Sequence, residues 1–403
     1  MNAEAWLQLN KTYGDAFYLL ESKQFQINFL ELKKAFTDIY PHFNIAYSYK
    51  TNYTPKLCRL VNQLGGFAEV VSEMELEIAE RIGVEYTDII WNGPVKNRIK
   101  AEEFLLNGGI LNIDSESEIE WLEIFAKKFQ DRKMRIGIRC NFEINDGVVS
   151  RFGIDVTSDL FRRALALFKN NANLIFYSLQ CHFATRRLDT WPARVKGMLK
   201  LFDNLERKPE FIDLGGGLFG KMADSLKAQF DSEIPDYIAY ANAVALIFAE
   251  HFKTTTNPPT LLIEPGSALV GDCMRFACKV VNIKEVRGKA IATLLGSIYN
   301  INPTLNKKNP PIEVVSLGQP QTVYNNLDFG GFTCIESDYL YRGFNGKLAV
   351  GDVVIFGNVG SYSVVLKPPF ILPNFPVIDI SQGEPELIKR GETFEDLFHT
   401  FVF

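Results

Sequence analysis

Lys50 closes the stretch N-I-A-Y-S-Y-K-T, Asn44–Thr51, in which Ile45, Tyr47 and Tyr49 alternate with small or polar residues. That period predicts a strand with Lys50 at its C-terminal end, stopped by Asn52 and Pro55. A lysine so placed aims its amine beyond the strand edge. Desolvation there favours the neutral amine, which can form a Schiff base with an aldehyde. Taken alone, Lys50 reads more simply as a surface lysine leaving a strand. Further stretches alter that balance. Ile212–Gly217 reads I-D-L-G-G-G, and Gly215, Gly216 and Gly217 would let backbone amides approach an anion, as at the phosphate-binding mouth of a barrel. Glu264 precedes Pro-Gly in L-I-E-P-G. His182 sits in Q-C-H-F-A-T and Arg139 in I-G-I-R-C-N, each ending an apolar run. An arginine inside a barrel strand needs an anionic partner. Gly330–Asp338 gathers Cys334, Glu336 and Asp338 in one loop, and Tyr362 follows small residues in G-N-V-G-S-Y-S. Each also has a plain reading: a turn, a solvated loop, a core histidine.

The elements that must position these residues alternate. Strands are predicted at Ala16–Leu20, Phe67–Val71, Asp88–Trp91, Gly109–Asn112, Arg135–Cys140, Leu174–His182, Phe211–Leu214 and Leu261–Glu264, besides the Lys50 strand. Helices are predicted at Asn28–Tyr40, Lys56–Leu64, Asn97–Asn107, Ser115–Phe129 and near Trp191–Leu205. Ser72 and Glu75 form a capping-box pattern for another helix through Ile82. Short strands alternating with helices imply a parallel sheet with right-handed crossovers, and their number fits a closed β/α barrel. After about residue 268 the texture changes. Phe276–Val281, Ala290–Leu295, Ile312–Val315, Val353–Phe356 and Tyr362–Leu366 are short and β-rich, which predicts a second, mostly antiparallel domain.

The 403 residues exceed one ordinary domain. The net charge of −5, without a basic run, argues against nucleic acid as the main partner. No apolar run is long enough for a membrane span, and Met1–Asp15 lacks the order of a signal peptide. Six scattered cysteines with no CxxC pair suit reduced thiols in a cytoplasm. Four histidines without an HExxH-like cluster argue against a metal hydrolase.

As an ordered set, these stretches resemble the fold-type III pyridoxal 5'-phosphate (PLP) decarboxylases, the ornithine and diaminopimelate decarboxylase family, whose barrel is like that of alanine racemase. The resemblance covers nearly the whole chain. It implies a PLP-binding barrel over residues 24–268 and a β domain built from residues 1–23 and 269–403, joined by the first strand. It implies that Lys50 holds PLP as a Schiff base, that Gly215–Gly217 and Tyr362 bind its phosphate, and that His182 stacks on its ring. Glu264 would pair with the pyridine nitrogen, Arg139 would orient Glu264, and Glu69 and Glu75 would line the site. Decarboxylation would pass through a quinonoid, with Cys334 returning a proton to Cα. Cys334 and Asp338 would reach the other subunit's site in a homodimer.

Three departures stand out. Ser267 replaces the arginine of the family's E-P-G-R. Ile335 follows Cys334 where the family has an acidic residue, with Glu336 one position later. Asn302 and Asn306 stand where diaminopimelate decarboxylases place an arginine and a tyrosine. The chemistry looks retained and substrate recognition rebuilt, which implies decarboxylation of an unusual or conjugated amino acid. The alternatives are a decarboxylase of ornithine, lysine or diaminopimelate, a racemase, and a non-catalytic PLP carrier. Glu264 argues against the racemase and the second domain against the carrier.

Overall fold

The computed structural model describes residues 3–304 and 307–402, so Asn306 lies outside the described residues. The chain forms two compact units. One comprises Ile27–Phe219 and Pro235–Ala268; the other comprises Met1–Gln26, Gly220–Ile234 and Leu269–Phe403.

The first unit is a closed barrel of eight parallel strands. They are Phe43–Ser48, Phe67–Val70, Ile89–Trp91, Ile110–Ile113, Met134–Asn141, Leu174–Cys181, Phe211–Asp213 and Thr260–Ile263. Each pairs with the next, and the last returns to the first through Ile263 opposite Ile45. Apolar runs this short, buried on both faces, suit a parallel sheet. Helices follow the strands, including Asp159–Asn170 and Tyr237–His251, whose periodicity the sequence reading passed over. Both have side-chain caps: Ser158 Oγ accepts from Phe161 N, and Asp236 Oδ1 accepts from Ala239 N at 2.7 Å.

Inside the barrel, Ala46, Ile90, Ile110, Phe211 and Leu262 form an apolar layer with Phe67 and Tyr177 packed against it. Strand side chains alternate, so residues two positions apart share a face. Two positions beyond these residues lie Ser48, Asn92, Asn112, Asp213, Glu264 and Glu69. The alternation therefore stacks a polar layer on an apolar one, at the strands' C-terminal ends.

The other unit is mostly antiparallel. Met274–Val286 pairs with Ala16–Leu20, Lys289–Leu294 and Val353–Phe356. Among the described residues two pairings are parallel, Ala16–Leu20 with Val377–Asp379 and Lys289–Leu294 with Thr322–Gly330. A helix at Ala3–Tyr13 buries Trp6 and Leu9 against Phe17, Leu19, Ala277, Val353, Ile355 and Ile378.

Three local expectations need correction. The strand expected over Asn44–Thr51 ends at Ser48, and Tyr49–Thr51 form a 3-10 turn. Ser48 N makes the last ladder contact, to Pro265 O at 3.3 Å, and the neighbouring chain then turns away at Gly266. Tyr362–Leu366 is a turn and not a strand: Tyr362 has φ +65, and Leu366 N donates back to Tyr362 O at 2.9 Å. Ser72 does cap its helix, accepting from Glu75 N at 3.2 Å, but the Glu75 carboxylate accepts from Val71 N at 2.8 Å instead of Ser72 N. No described helix is long and apolar enough to cross a membrane.

Candidate active site

The polar layer is one hydrogen-bonded network. Ser48 and Glu69 are register partners on adjacent strands, and Ser48 Oγ donates to Glu69 Oε2 at 2.8 Å. The Lys50 amine, just past that strand end, is 3.2 Å from Ser48 Oγ and forms an ion pair with Glu69. Lys50 thus meets a carboxylate at the strand end. Asn92 bridges two carboxylates, with Nδ2 at 3.1 Å from Glu69 Oε1 and 2.6 Å from Glu264 Oε1. Gln180 Nε2 adds a donor to the same Glu264 oxygen at 3.1 Å. Asn112 Nδ2 donates to Asn92 Oδ1 at 2.7 Å and fixes its orientation.

Burial and charge set the protonation of this layer. Glu264, 2 % exposed, is pushed well above the carboxylate range by burial and by the charges of Asp213 and Glu69. Asp213, fully buried, is raised to about 7 by burial, although its Oδ1 accepts from Gly215 N at 2.8 Å. Burial acts most strongly on Glu69 too, but Lys50, Ser48 and Asn92 together outweigh it and hold Glu69 below its ordinary value. Glu75 is raised to about 7 by burial. His182 is held neutral by burial and by the charges of Lys50, Arg139 and Arg194. Its Nδ1 accepts from Gly216 N at 3.0 Å and lies 3.9 Å from Glu264 Oε2.

The three glycines are required where they stand. Gly215 and Gly217 have φ +69 and +94, in the left-handed region that side chains disfavour. Gly216 lies so close to the next strand end that a Cβ would come 2.5 Å from Glu264 O. The loop therefore presents backbone, not side chains, at the mouth.

Arg139 pairs with Asp114 at 3.6 Å and stacks on Phe152; its effect on Glu264 is that of a charge at a distance. Asn92, Gln180, Asn112, Asp213 and Arg194 were not singled out from the sequence. For the first four the usable signal was a polar residue within or directly after an otherwise apolar barrel strand, as in I-I-W-N, I-L-N-I, S-L-Q-C and F-I-D; Arg194 lies on a helix and had no such signal.

A family model described as "Pyridoxal-dependent decarboxylase, pyridoxal binding domain" matches residues 25–271. The chain belongs to the pyridoxal-dependent decarboxylases. It is a PLP-dependent amino-acid decarboxylase. The chain is 26% identical over 417 residues to the diaminopimelate decarboxylase of Methanocaldococcus jannaschii, covering 97% of this chain and 92% of the relative. It is 25% identical to that of Campylobacter jejuni, covering 96% of each. The crystal structure of the M. jannaschii enzyme matches with a TM-score of 0.88 at 23% identity, over 98% of this chain and 94% of that one. The lysine decarboxylase structure from Selenomonas ruminantium matches at 0.76 and 21% identity, over 95% of this chain and 97% of that one. At those identities the structures speak for the fold. The barrel residues of this decarboxylase fit its cofactor: a glycine cradle that a Cβ would fill, an amine on a short turn, and a buried carboxyl beside a neutral imidazole.

In the β unit, Cys334 and Glu336 are exposed and Ile335 is partly buried. Asp338 is 4 % exposed and fully engaged. Its Oδ1 accepts from Ile298 N at 2.7 Å and Ser297 Oγ at 3.2 Å; its Oδ2 accepts from Thr333 Oγ1 at 2.6 Å and Thr333 N at 3.3 Å. Asn302 follows a short helix, and its Oδ1 accepts from Thr304 Oγ1 at 2.9 Å. Tyr362 is partly buried. Among the described residues no cluster of three or more His, Cys, Asp or Glu could hold a metal ion.

Proposed function

We propose that this decarboxylase acts on an α-amino acid whose side chain is larger than that of lysine and ends in an uncharged polar conjugate. Lys50 anchors the cofactor through its amine, and Glu69 holds the proton at Lys50 Nζ. Gly215–Gly217 form the loop that meets the phosphate; the amides of Gly215 and Gly216 donate to Asp213 and His182, so the loop offers the amide of Gly217. Neutral His182, steered by the Gly216 amide, offers a flat face to the ring. Glu264, which burial drives toward protonation, shares a proton with the ring nitrogen. Bound PLP supplies an electron sink for the pair left when CO₂ departs. Cys334, from the second subunit of a homodimer, returns the proton to Cα. Residues of this charge balance, without a membrane span among the described helices, suit a cytoplasmic enzyme.

The observation that carries the substrate reading is the commitment of Asp338. Its carboxylate is spent on four hydrogen bonds within its own unit, Ile335 follows Cys334, and Glu336 faces solvent. A distal ammonium buried without a carboxylate partner costs about 3–5 kcal/mol. Asn302 offers an amide, which both donates and accepts, where an arginine would bind a carboxylate. The relatives named diaminopimelate decarboxylase, aligned over nearly the whole chain, support a second reading: a decarboxylase of diaminopimelate or a diamine precursor.

CO₂ release measured with free lysine, ornithine and meso-diaminopimelate, and with amide- or acyl-conjugated amino acids, separates the two. The conjugates should turn over, and the free amino acids should stay well below about 10⁴ M⁻¹s⁻¹ in kcat/KM. Ordinary efficiency on diaminopimelate, lysine or ornithine would favour the second reading.

A further inference from the structure

Arg194, on the helix Trp191–Asp203, is a fully buried cation. Among the described residues it forms no ion pair; its contacts are carbonyls and rings. Nη1 donates to Gly216 O at 2.9 Å, and Nη2 donates to Phe183 O at 3.2 Å and to Thr185 O. Its guanidinium stacks on Trp191 at 4.3 Å from the ring centroid, and its Nε has no hydrogen-bond partner. Asp146, whose charge it feels, accepts from Thr185 Oγ1 at 2.5 Å. Burial lowers Arg194 to about 10, which leaves it charged at neutral pH. An interior cation without a bonded counter-ion is expensive.

The three carbonyls belong to two loops at the barrel mouth, the glycine loop and the loop after His182. A trans peptide is planar, and its C=O and N–H point in opposite directions. Arg194 draws in the oxygens of Gly216, Phe183 and Thr185, so the N–H groups of Gly217, Ala184 and Arg186 face away from it. Among the described residues none of these three amides donates within the chain. Three outward amide dipoles with a full positive charge behind them form an anion cradle. Ser267, at the position where the family resemblance leads to an arginine, adds no charge.

We propose that Arg194 is the positioning residue of the phosphate end of the cofactor site, orienting the amides of both loops and supplying the positive charge behind them. This rests on the reading that Gly215–Gly217 bind the PLP phosphate. The ligand class is a phosphate monoester, met through backbone.

The test compares PLP with pyridoxal, which lacks the phosphate, by equilibrium binding to the full chain followed by visible absorbance. Arg194→Gln should weaken PLP roughly ten- to a hundredfold and leave pyridoxal nearly unchanged, and Arg194→Lys should recover part of the loss. Equal losses for both ligands, no loss, or a lysine variant no better than glutamine would overturn the inference. Should the glutamine variant fail to fold, phosphorus NMR of the unmodified holoenzyme decides. The bound phosphate should stay dianionic well below pH 6, near which a free monoester takes up its proton; ordinary titration near pH 6 would overturn it. If the unmodified protein holds pyridoxal as tightly as PLP, the phosphate-loop reading itself fails.

Discussion

Asp213 and Glu264 are carboxyls whose protonated form folding favours, and this has a measurable sign. Asp213 rises from about 3.9 in an unfolded chain to about 7 in the fold. Between those values the folded state binds more protons than the unfolded one, so stability falls as pH rises. The contribution is fully present below about pH 4 and is lost as pH climbs through 7. The stability of cofactor-free protein minus that of Asp213→Asn, measured by urea unfolding from pH 4 to 8, should decline with pH, at no more than about 1.4 kcal/mol per unit. A difference independent of pH would show that Asp213 does not titrate this way. Residues of this kind mark how far the sequence could be read. Lys50, His182, Glu264 and the three glycines could be named because strand-end motifs single them out. Asn92 and Gln180 carried only the weaker signal of a polar residue at an apolar strand, and their roles stayed hidden because their partners are set by register between strands far apart in the chain.

At the scale of elements, the glycine loop is the part with least freedom. Gly216→Ala places a Cβ against the Glu264 carbonyl, backbone against which neither loop can yield cheaply. We expect a loss of about 1–3 kcal/mol, as for overpacked interiors, read by denaturant titration, with weaker PLP retention by absorbance. Unchanged stability would mean the loop has room that the geometry denies it. The alternation of strands and helices was readable throughout the barrel, because period 2 and period 3.6 are local properties. Element ends were less so. The Lys50 strand stops at Ser48 because its neighbour turns at Pro265–Gly266, a limit imposed from more than two hundred residues away. Tyr362–Leu366 looked like a strand for its valines and leucine, yet Tyr362 at φ +65 begins a turn.

For the whole molecule, the proposed homodimer makes a prediction that neither unit makes alone. Lys50→Ala and Cys334→Ala lie in different units. If each site takes Lys50 from one subunit and Cys334 from the other, mixing the two inactive proteins under exchange conditions should restore about a quarter of wild-type activity: half the dimers are mixed, and each has one intact site of two. Demonstrated exchange without recovered activity would rule out sharing. The β unit also has a consequence for how the chain is made. Its strand Ala16–Leu20, the buried sequence A-F-Y-L-L, pairs with Met274–Val286 and Val377–Asp379. On the ribosome that hydrophobic segment emerges before the barrel and must wait for both partners, while every barrel strand is complete by Ile263. At about 5–20 residues per second, the wait for the first partner is on the order of 15–50 seconds. Nascent chains stalled before Met274 should therefore expose this apolar segment without either partner strand, a natural substrate for chaperones and a place where slow synthesis would cost yield.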